Sequence, residues 1–431
     1  EVPAHETKPK KLTEKAATLS RAPHCGFPQK FCLPKGRKLM QIAVICEYNP
    51  FHLGHAYQIS QIRARFGGGA CITGVFSQRG EPYIAPPYVR AEAAVRCGAD
   101  LVLELPYPWS AAPAAYFARA GVEVAAACGA DMLAFGSECG DLDALRAVRR
   151  NLDDPRLRAR TEELLRSDEY APLGRIRAFA RAYTERYGQC ALLERPNDIL
   201  ALEYLAAADR LSVRITPLAL KRRGRRDSDG ADGYAPAQKL RTACAAGGLA
   251  AIRENLPEKG FAVFERAAEK ELFGADFERL SSAVLFALRT GSEGVAFSSG
   301  GVFGRLKNCA TGAHTLDELF ACAASKRYTT AQLRRCALYT LLRTQAAALE
   351  EPVRCSRVLA ATARGCKILA AARKRGAICF LTKPAAYRNL PPAAAAQFES
   401  RFAAEYAYAL TLPGRYNFLR QSPYFLDAEE Q

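Results

Sequence analysis

From Met40 onward the chain alternates short apolar runs with longer amphipathic ones. Gln41-Ile-Ala-Val-Ile-Cys46 is a continuous apolar run, the pattern of a strand covered on both faces. A turn at Glu47-Tyr-Asn-Pro-Phe51 follows, then a helix-compatible run from Gly54 to about Phe66. The rhythm repeats: apolar runs at Cys71–Phe76, Asp100–Leu105 and Asp131–Phe135 predict strands, and Val89–Cys97 and Ala111–Ala127 predict helices. Strands alternating with helices imply parallel βαβ units, hence an α/β fold with a Rossmann-like parallel sheet covered on both faces.

After Asp141 the periodicity is helical, with helices predicted over 141–151, 154–166, 172–187 and 197–209. Val213–Leu220 reads as one more strand, which Pro217 pushes towards an edge position. A charged, Gly/Asp-rich loop spans 221–234, and Pro236 suits the start of another helix. Further on, Phe261–Leu272, Thr315–Ser325, Thr330–Leu349 and Cys366–Arg375 read as amphipathic helices with little alternation between them. The expected organisation is an α/β domain over 39–255 and a mainly α-helical C-terminal domain over 256–431. Residues 1–38 are rich in Lys, Pro and Ala without hydrophobic periodicity and read as a disordered leader. Met40 stands just before the first strand, which leaves open whether this leader belongs to the functional protein; a tail bound to a polyanion is the lesser alternative to disorder.

Composition narrows the class. A length of 431 residues exceeds the usual single-core limit of roughly 250–300. No run approaches the ~18 apolar residues of a transmembrane helix, so no membrane partner is expected. Fifteen cysteines are scattered without any Cys-x-x-Cys, which argues against a zinc ribbon or a fully paired disulfide framework and fits a reducing, cytoplasmic location. The net charge of +17 makes a polyanionic partner the natural expectation.

The densest chemistry is Glu47-Tyr-Asn-Pro-Phe-His52-Leu-Gly54-His55. Two of the chain's five histidines stand three residues apart at a strand-to-helix turn, where i and i+3 share a face. Free amides and the positive end of the helix dipole favour phosphate there, and two imidazoles add donors for charge growing in a transition state. Gly54 is read as leaving room for a ligand to reach the backbone. Core-satisfying histidines, a metal site lacking a nearby third ligand, and an ordinary helix start are the competing readings; no metal ligand is assigned.

His52-x-Gly54-His55 after a first strand resembles the signature of nucleotidyltransferases and class I aminoacyl-tRNA synthetases. The wider set resembles the tRNA(Met) cytidine acetate ligase family: Glu47–His55, Phe76-Ser-Gln-Arg-Gly-Glu-Pro82, Gly98-Ala-Asp-Leu-Val-Leu-Glu-Leu-Pro106, Phe135-Gly-Ser-Glu138, Pro196-Asn-Asp-Ile-Leu200 and Lys326-Arg-Tyr-Thr329. These occur in the family's order over roughly residues 40–410. The resemblance implies a nucleotidyltransferase-like domain followed by a helical tRNA-binding one. It also implies a two-step reaction in which acetate attacks the α-phosphate of ATP and the exocyclic amine of the wobble cytidine of elongator methionine tRNA takes the acetyl group. His52 and His55 would be catalytic. The ATP-binding stretch would be Ile45, Cys46, Glu47, Tyr48, Asn49, Pro50, Phe51, His52, Leu53, Gly54, His55, Ala56, Tyr57 and Gln58, joined by Gly136, Asn197 and Arg222. A plain turn glycine, a helix N-cap and a solvated charge are the respective alternatives for the last three. ATP is the implied substrate, Mg²⁺ the expected ion, acetate and the tRNA(Met) anticodon the partners, and no protein partner is implied.

Departures fall where phosphate contacts are expected. Asp227-Ser228-Asp229 replaces a usual Tyr-His-Asp, Pro236-Ala-Gln-Lys-Leu-Arg241 replaces a hydroxyl-bearing segment, and Pro86-Pro87-Tyr88 replaces one that commonly carries Lys. Lys239 and Arg241 are candidate substitute cations. In the helical part Lys326, Arg327, Tyr328, Arg334 and Arg335 are read as tRNA-binding, and Arg364, Lys367, Arg373, Lys374 and Arg375 supply further cations on or beside helices. Two other functions stay open: adenylylation of a small phosphorylated metabolite on the same fold, and a non-catalytic tRNA-binding relative.

Overall fold

A computed structural model describes residues 40–427 apart from 67–68, 223–233, 292–293 and 299. The leader and the Asp227–Asp229 departure lie outside the described residues. The first part runs β1 (Ile42–Ile45), α1 (Leu53–Phe66), β2 (Gly69–Thr73), α2 (Pro87–Arg96), β3 (Leu101–Glu104), α3 (Ala114–Cys128) and β4 (Met132–Ser137). Helices α4 (Leu142–Leu152), α5 (Pro155–Leu165), α6 (Arg175–Tyr187) and α7 (Pro196–Arg210) then lead to β5 (Thr216–Lys221). Next come α8 (Ala237–Gly247), α9 (Glu258–Glu269), α10 (Ser281–Thr290), α11 (Val302–Ala310), α12 (Leu316–Ala323), α13 (Thr330–Leu342) and α14 (Ala346–Glu350). The chain closes with β6 (Cys355–Thr362), α15 (Ala363–Arg375), β7 (Cys379–Leu381), α16 (Pro392–Glu399), α17 (Phe402–Thr411) and β8 (Tyr424–Leu426).

The strands form one sheet in the order β5-β4-β1-β2-β3-β6-β7, with β8 also on β6. β1 to β5 are mutually parallel, while β6 runs antiparallel to β3. All four residues of β1 are buried, as a strand with helices on both faces requires. β5 takes the edge, where the missing N–H of Pro217 costs no central ladder bond. The chain winds outward from β1 through β2 to β3, then returns to place β4 on the other side of β1. The carboxyl ends of β1 and β4 therefore flank the topological switch point, where an open α/β sheet has its ligand crevice.

Three departures from the sequence expectations have physical causes. β2 ends at Thr73 rather than at Phe76. Gly74 turns the chain away there, in a spot so tight that a Cβ would lie 2.5 Å from Ser110 Cβ. The helix expected over 330–349 breaks at Arg343, whose φ of 52° is a left-handed C-cap, before α14 resumes. The C-terminal part is mainly helical, yet it also supplies β6, β7 and β8, so the sheet runs across the position near 255 where a domain boundary was expected.

Cys309 and Cys322 form a disulfide joining α11 to α12. No described helix is long and apolar enough to cross a membrane. The sheet junction holds a fully buried ion cluster. Glu104 at the end of β3 accepts from Arg357 of β6 (2.8 Å) and from Arg401 (2.7 Å), and Arg357 also donates to Glu405 of α17.

Candidate active site

The turn after β1 carries Tyr48 at φ 49°, a left-handed conformation unusual for a bulky residue and held here by complete burial. Asn49 is also buried, and its Oδ1 accepts from the Ile84 N–H (2.8 Å). This anchored turn delivers His52 as the residue that opens α1. His55 N–H and Ala56 N–H both donate to the His52 carbonyl, at 2.9 and 3.1 Å.

The two imidazoles stack, with ring centroids 3.8 Å apart and planes 25° from parallel. Tyr48 and Phe51 back His55, with centroids at 5.0 and 5.6 Å. His52 Nδ1 accepts from the Gly54 N–H (3.0 Å), and His55 Nδ1 accepts from the His52 N–H (3.2 Å). These bonds assign the same tautomer to both neutral rings, with the proton on Nε2. Burial lowers the pKa of His52 to about 3, with Arg222 and Arg241 adding to the effect. Burial, then His52 and Arg222, put His55 well below 6.5 as well. Both rings are therefore neutral at pH 7, and each presents one N–H donor.

This corrects two expectations. The Gly54 and His52 amides at the helix start are not free for phosphate, because the imidazoles accept from them; each ring passes a donor outward on its far nitrogen instead. The space over Gly54 is not open to a ligand either, since a Cβ there would lie 2.9 Å from His52 Cε1. Gly54 is required by the fold-back of His52. Gly54→Ala is expected to displace that ring and to slow nucleotide activation about 10- to 100-fold in a steady-state assay, with little change in thermal midpoint.

The other expected residues arrive from the neighbouring strand ends. Arg222 follows β5, and its N–H donates to the Ser137 carbonyl (2.9 Å). Its side chain crosses Gly136, where an added Cβ would meet Arg222 Cγ at 3.2 Å. Arg222 also donates to Asn197 Oδ1 at 3.4 Å. Asn197 is not the N-cap of α7 but its second residue, behind Pro196. The cap comes from Glu138, whose carboxylate accepts from the Asn197 side chain and from Asp198 N–H (3.0 Å). In return Asp198, fully buried, accepts from Ser137 Oγ and from Cys139 N–H (3.2 Å). The turn after β4 and the start of α7 thus lock each other.

Within 45–58 the residues divide into scaffold and face. Ile45, Tyr48, Asn49, Pro50, Phe51 and His52 are buried, and Ile45 Cδ1 packs where a Cβ on Gly121 would stand. Cys46, Glu47, Leu53, Gly54, His55, Ala56, Tyr57 and Gln58 are half-buried. Arg241 of α8, named above only as a substitute cation, donates to the Asn49 carbonyl (3.0 Å). Glu138 and Asp198 received no role from sequence; their signal is only that two acids flank the Gly136 turn and the α7 start, 60 residues apart.

The expected tRNA contacts separate as well. Lys326 and Arg327 are exposed, and the Tyr328 hydroxyl donates to the Gly300 carbonyl. Arg334 and Arg335 are half-buried, pairing with Glu81 and donating to the Gln78 carbonyl (2.7 Å) respectively, which docks the 77–81 turn on α13. Arg373 and Arg375 donate to the backbone carbonyls of Phe380 and Cys128, so they too serve packing.

A Rossmann-like sheet with an HxGH turn at its switch point defines a nucleotidyltransferase, and the family model described as HIGH Nucleotidyl Transferase matches residues 40–422. Within that class the chain belongs to the tRNA(Met) cytidine acetate ligase family. It is 31% identical over 412 residues to the tRNA(Met) cytidine acetate ligase of Syntrophotalea carbinolica, covering 89% of this chain and 97% of that one. The enzyme of the same name from Levilactobacillus brevis is 33% identical over 319 residues, or 70% and 78% of the two chains. The crystal structure of Thermotoga maritima TmcAL bound with alpha-thio ATP superposes with a TM-score of 0.81 at 27% identity, covering 90% of this chain and all of that one.

Proposed function

We propose that the chain is an ATP-dependent tRNA(Met) cytidine acetate ligase. In this reading an acetate oxygen attacks the α-phosphorus of ATP, pyrophosphate leaves, and acetyl-adenylate remains bound. The exocyclic amine of the wobble cytidine of elongator methionine tRNA then attacks the acetyl carbonyl and AMP departs. The observation that carries it is the stacked, neutral His52–His55 pair with Arg222 and Arg241 in electrostatic reach, at the switch point of a family-typical sheet. Such a site needs no protein nucleophile. His52 and His55 offer Nε2–H donors to charge growing on the phosphate, and Arg222 and Arg241 offset the triphosphate. Gly136 and Asn197 hold Arg222 on the nucleotide side.

Among the described residues no group of three or more His, Cys, Asp or Glu is placed to hold a metal ion. A Mg²⁺ would enter with the triphosphate. Residues 39–255 would carry the nucleotide chemistry and 256–431 much of the RNA surface, with the enzyme working in the cytoplasm. Lys326 and Arg327 would meet tRNA phosphates, while Arg334, Arg335 and Tyr328 shape the loop that presents them.

The direct test is mass spectrometry of elongator methionine tRNA incubated with the chain, ATP and labelled acetate. Acetyl mass gain at the anticodon cytidine, dependent on both ATP and acetate, is the expected result; pyrophosphate release driven instead by a phosphorylated metabolite would overturn the reading. A Lys326→Ala/Arg327→Ala variant is expected to reduce the slope of log affinity against log salt by roughly 1.5–2 while adenylate formation is unchanged, as filter binding would measure.

A further inference from the structure

Helices α4 to α7 line a cavity of about 500 Å³, open to solvent, that none of the residues placed at the nucleotide site lines. Its wall combines Leu202 with the half-buried ring of Phe179, an aromatic face beside an aliphatic floor. Glu203 and Arg149 stand on the same wall. The Glu203 carboxylate is half-buried and makes no hydrogen bond to any described residue. Burial pushes its pKa up, although Arg210 and Arg149 pull the other way. Arg149 donates to Asp153 (2.7 Å) with one terminal nitrogen, yet its buried Nε has no partner. Arg158 and Arg210 also line the cavity and are exposed.

The buried Arg149 Nε is costly to leave unmet, because buried polar groups nearly always find partners, and the half-buried Glu203 carboxylate has no hydrogen-bond partner among the described residues on the same wall. The ligand that would satisfy both is flat, has an apolar face for Phe179, and carries an amine donor and an acceptor on one edge. Guanine, cytosine and adenine have such edges, whereas uracil lacks the exocyclic amine. The exposed guanidiniums of Arg158 and Arg210 suit the phosphates that flank a base in a strand. Glu203 also lies on α7, the helix whose first turn presents Asn197, six residues or about 9 Å along the axis. A strand gripped here is therefore held on an element of the nucleotide site.

We propose that this cavity is an RNA subsite that takes one unstacked, amine-bearing base of the tRNA substrate. Phe179 stacks on the base, Glu203 accepts from its amine, Arg149 donates to its acceptor, and Arg158 and Arg210 meet the adjoining phosphates. The proposal rests on the reading of the chain as a tRNA ligase.

The test uses the full chain and elongator methionine tRNA. Phe179→Ala and Glu203→Gln are each expected to raise KM for tRNA by about 10-fold, with KM for ATP and acetate-dependent pyrophosphate exchange unchanged; stacking of one base carries an effect of that order. Phe179→Tyr is expected to restore the wild-type KM, which a simple packing defect at this position would not predict together with an intact exchange reaction. Wild-type KM for tRNA in both Phe179→Ala and Glu203→Gln would overturn the subsite while leaving the ligase reading in place. If the wild-type chain forms no acetylated tRNA, the ligase reading fails by itself, and filter binding of the same tRNA decides the cavity. Weaker binding by Phe179→Ala than by Phe179→Tyr then supports it, and equal binding overturns it.

Discussion

His55→Ala is expected to lower acetate-dependent pyrophosphate exchange by about 10²–10³-fold, the loss that follows removal of one preorganised donor to a developing anion. The ring's role follows from its bonds. Its Nδ1 is committed to the His52 amide, so the Nε2 proton is fixed in direction rather than free to exchange sides. Alanine also removes half of a stacked pair, so His52 is expected to lose alignment and the double variant to cost little more than either single one. tRNA affinity measured without ATP is expected to be unchanged, which separates this loss from unfolding. The pH profile gives an independent check. The His52 pKa near 3, and that of His55 well below 6.5, mean that the folded protein takes up these protons only at lower pH than the unfolded chain does. Their contribution to stability is complete above about pH 6.5 and is lost as pH falls below it, for His52 down to about 3, by up to about 1.4 kcal/mol per pH unit for that ring. Exchange activity should accordingly show no inflection near pH 6.5 belonging to either ring. An inflection there that disappears in His55→Gln would contradict the neutral pair.

What could be read from sequence was local, and what could not was carried by distant partners. The apolar run of β1, the turn after it and the His52-x-Gly54-His55 spacing lie within 20 residues, so their periodicity and chemistry were visible together. The use of Gly54 was not, because it depends on the χ angles that fold His52 back over it. Asn197 was open to reading as an N-cap because the true cap, Glu138, sits 59 residues upstream. Arg334 and Arg335 read as tRNA-binding cations because their partners, in the 77–81 turn docked on them, lie more than 250 residues away. β6 was missed for two reasons. A strand buried along its whole length shows no alternation, and Arg357 in its middle breaks the apolar run. Only the arrival of Glu104 and Glu405 makes that arginine compatible with a core strand.

That arginine sets the second large effect. Glu104→Gln is expected to destabilise the chain by about 3–5 kcal/mol in urea unfolding, a large share of a typical total of 5–15. Burial alone would push the Glu104 pKa up, but Arg357 and Arg401 together hold it below the ordinary value. Removing that charge leaves two guanidiniums in a dry site facing only Glu405, whose own pKa burial pushes up despite Arg357. Two guanidinium nitrogens and one Glu405 oxygen there already lack partners, so neutralisation has nothing nearby to absorb it. Glu104→Gln/Arg401→Gln should therefore lose clearly less than the sum of the two single variants. The effect has a place as well as a size. Glu104 belongs to β3, Arg357 to β6 and Glu405 to α17, so the cluster fastens the C-terminal elements to the sheet at its β3–β6 junction, away from the β1–β4 switch point. Limited proteolysis of the cooled variant should cut first within the C-terminal elements, while the KM for ATP of the uncut fraction stays near that of the wild type. A rise in that KM matching the loss of stability would mean that the two ends of the sheet are coupled more tightly than their separation implies.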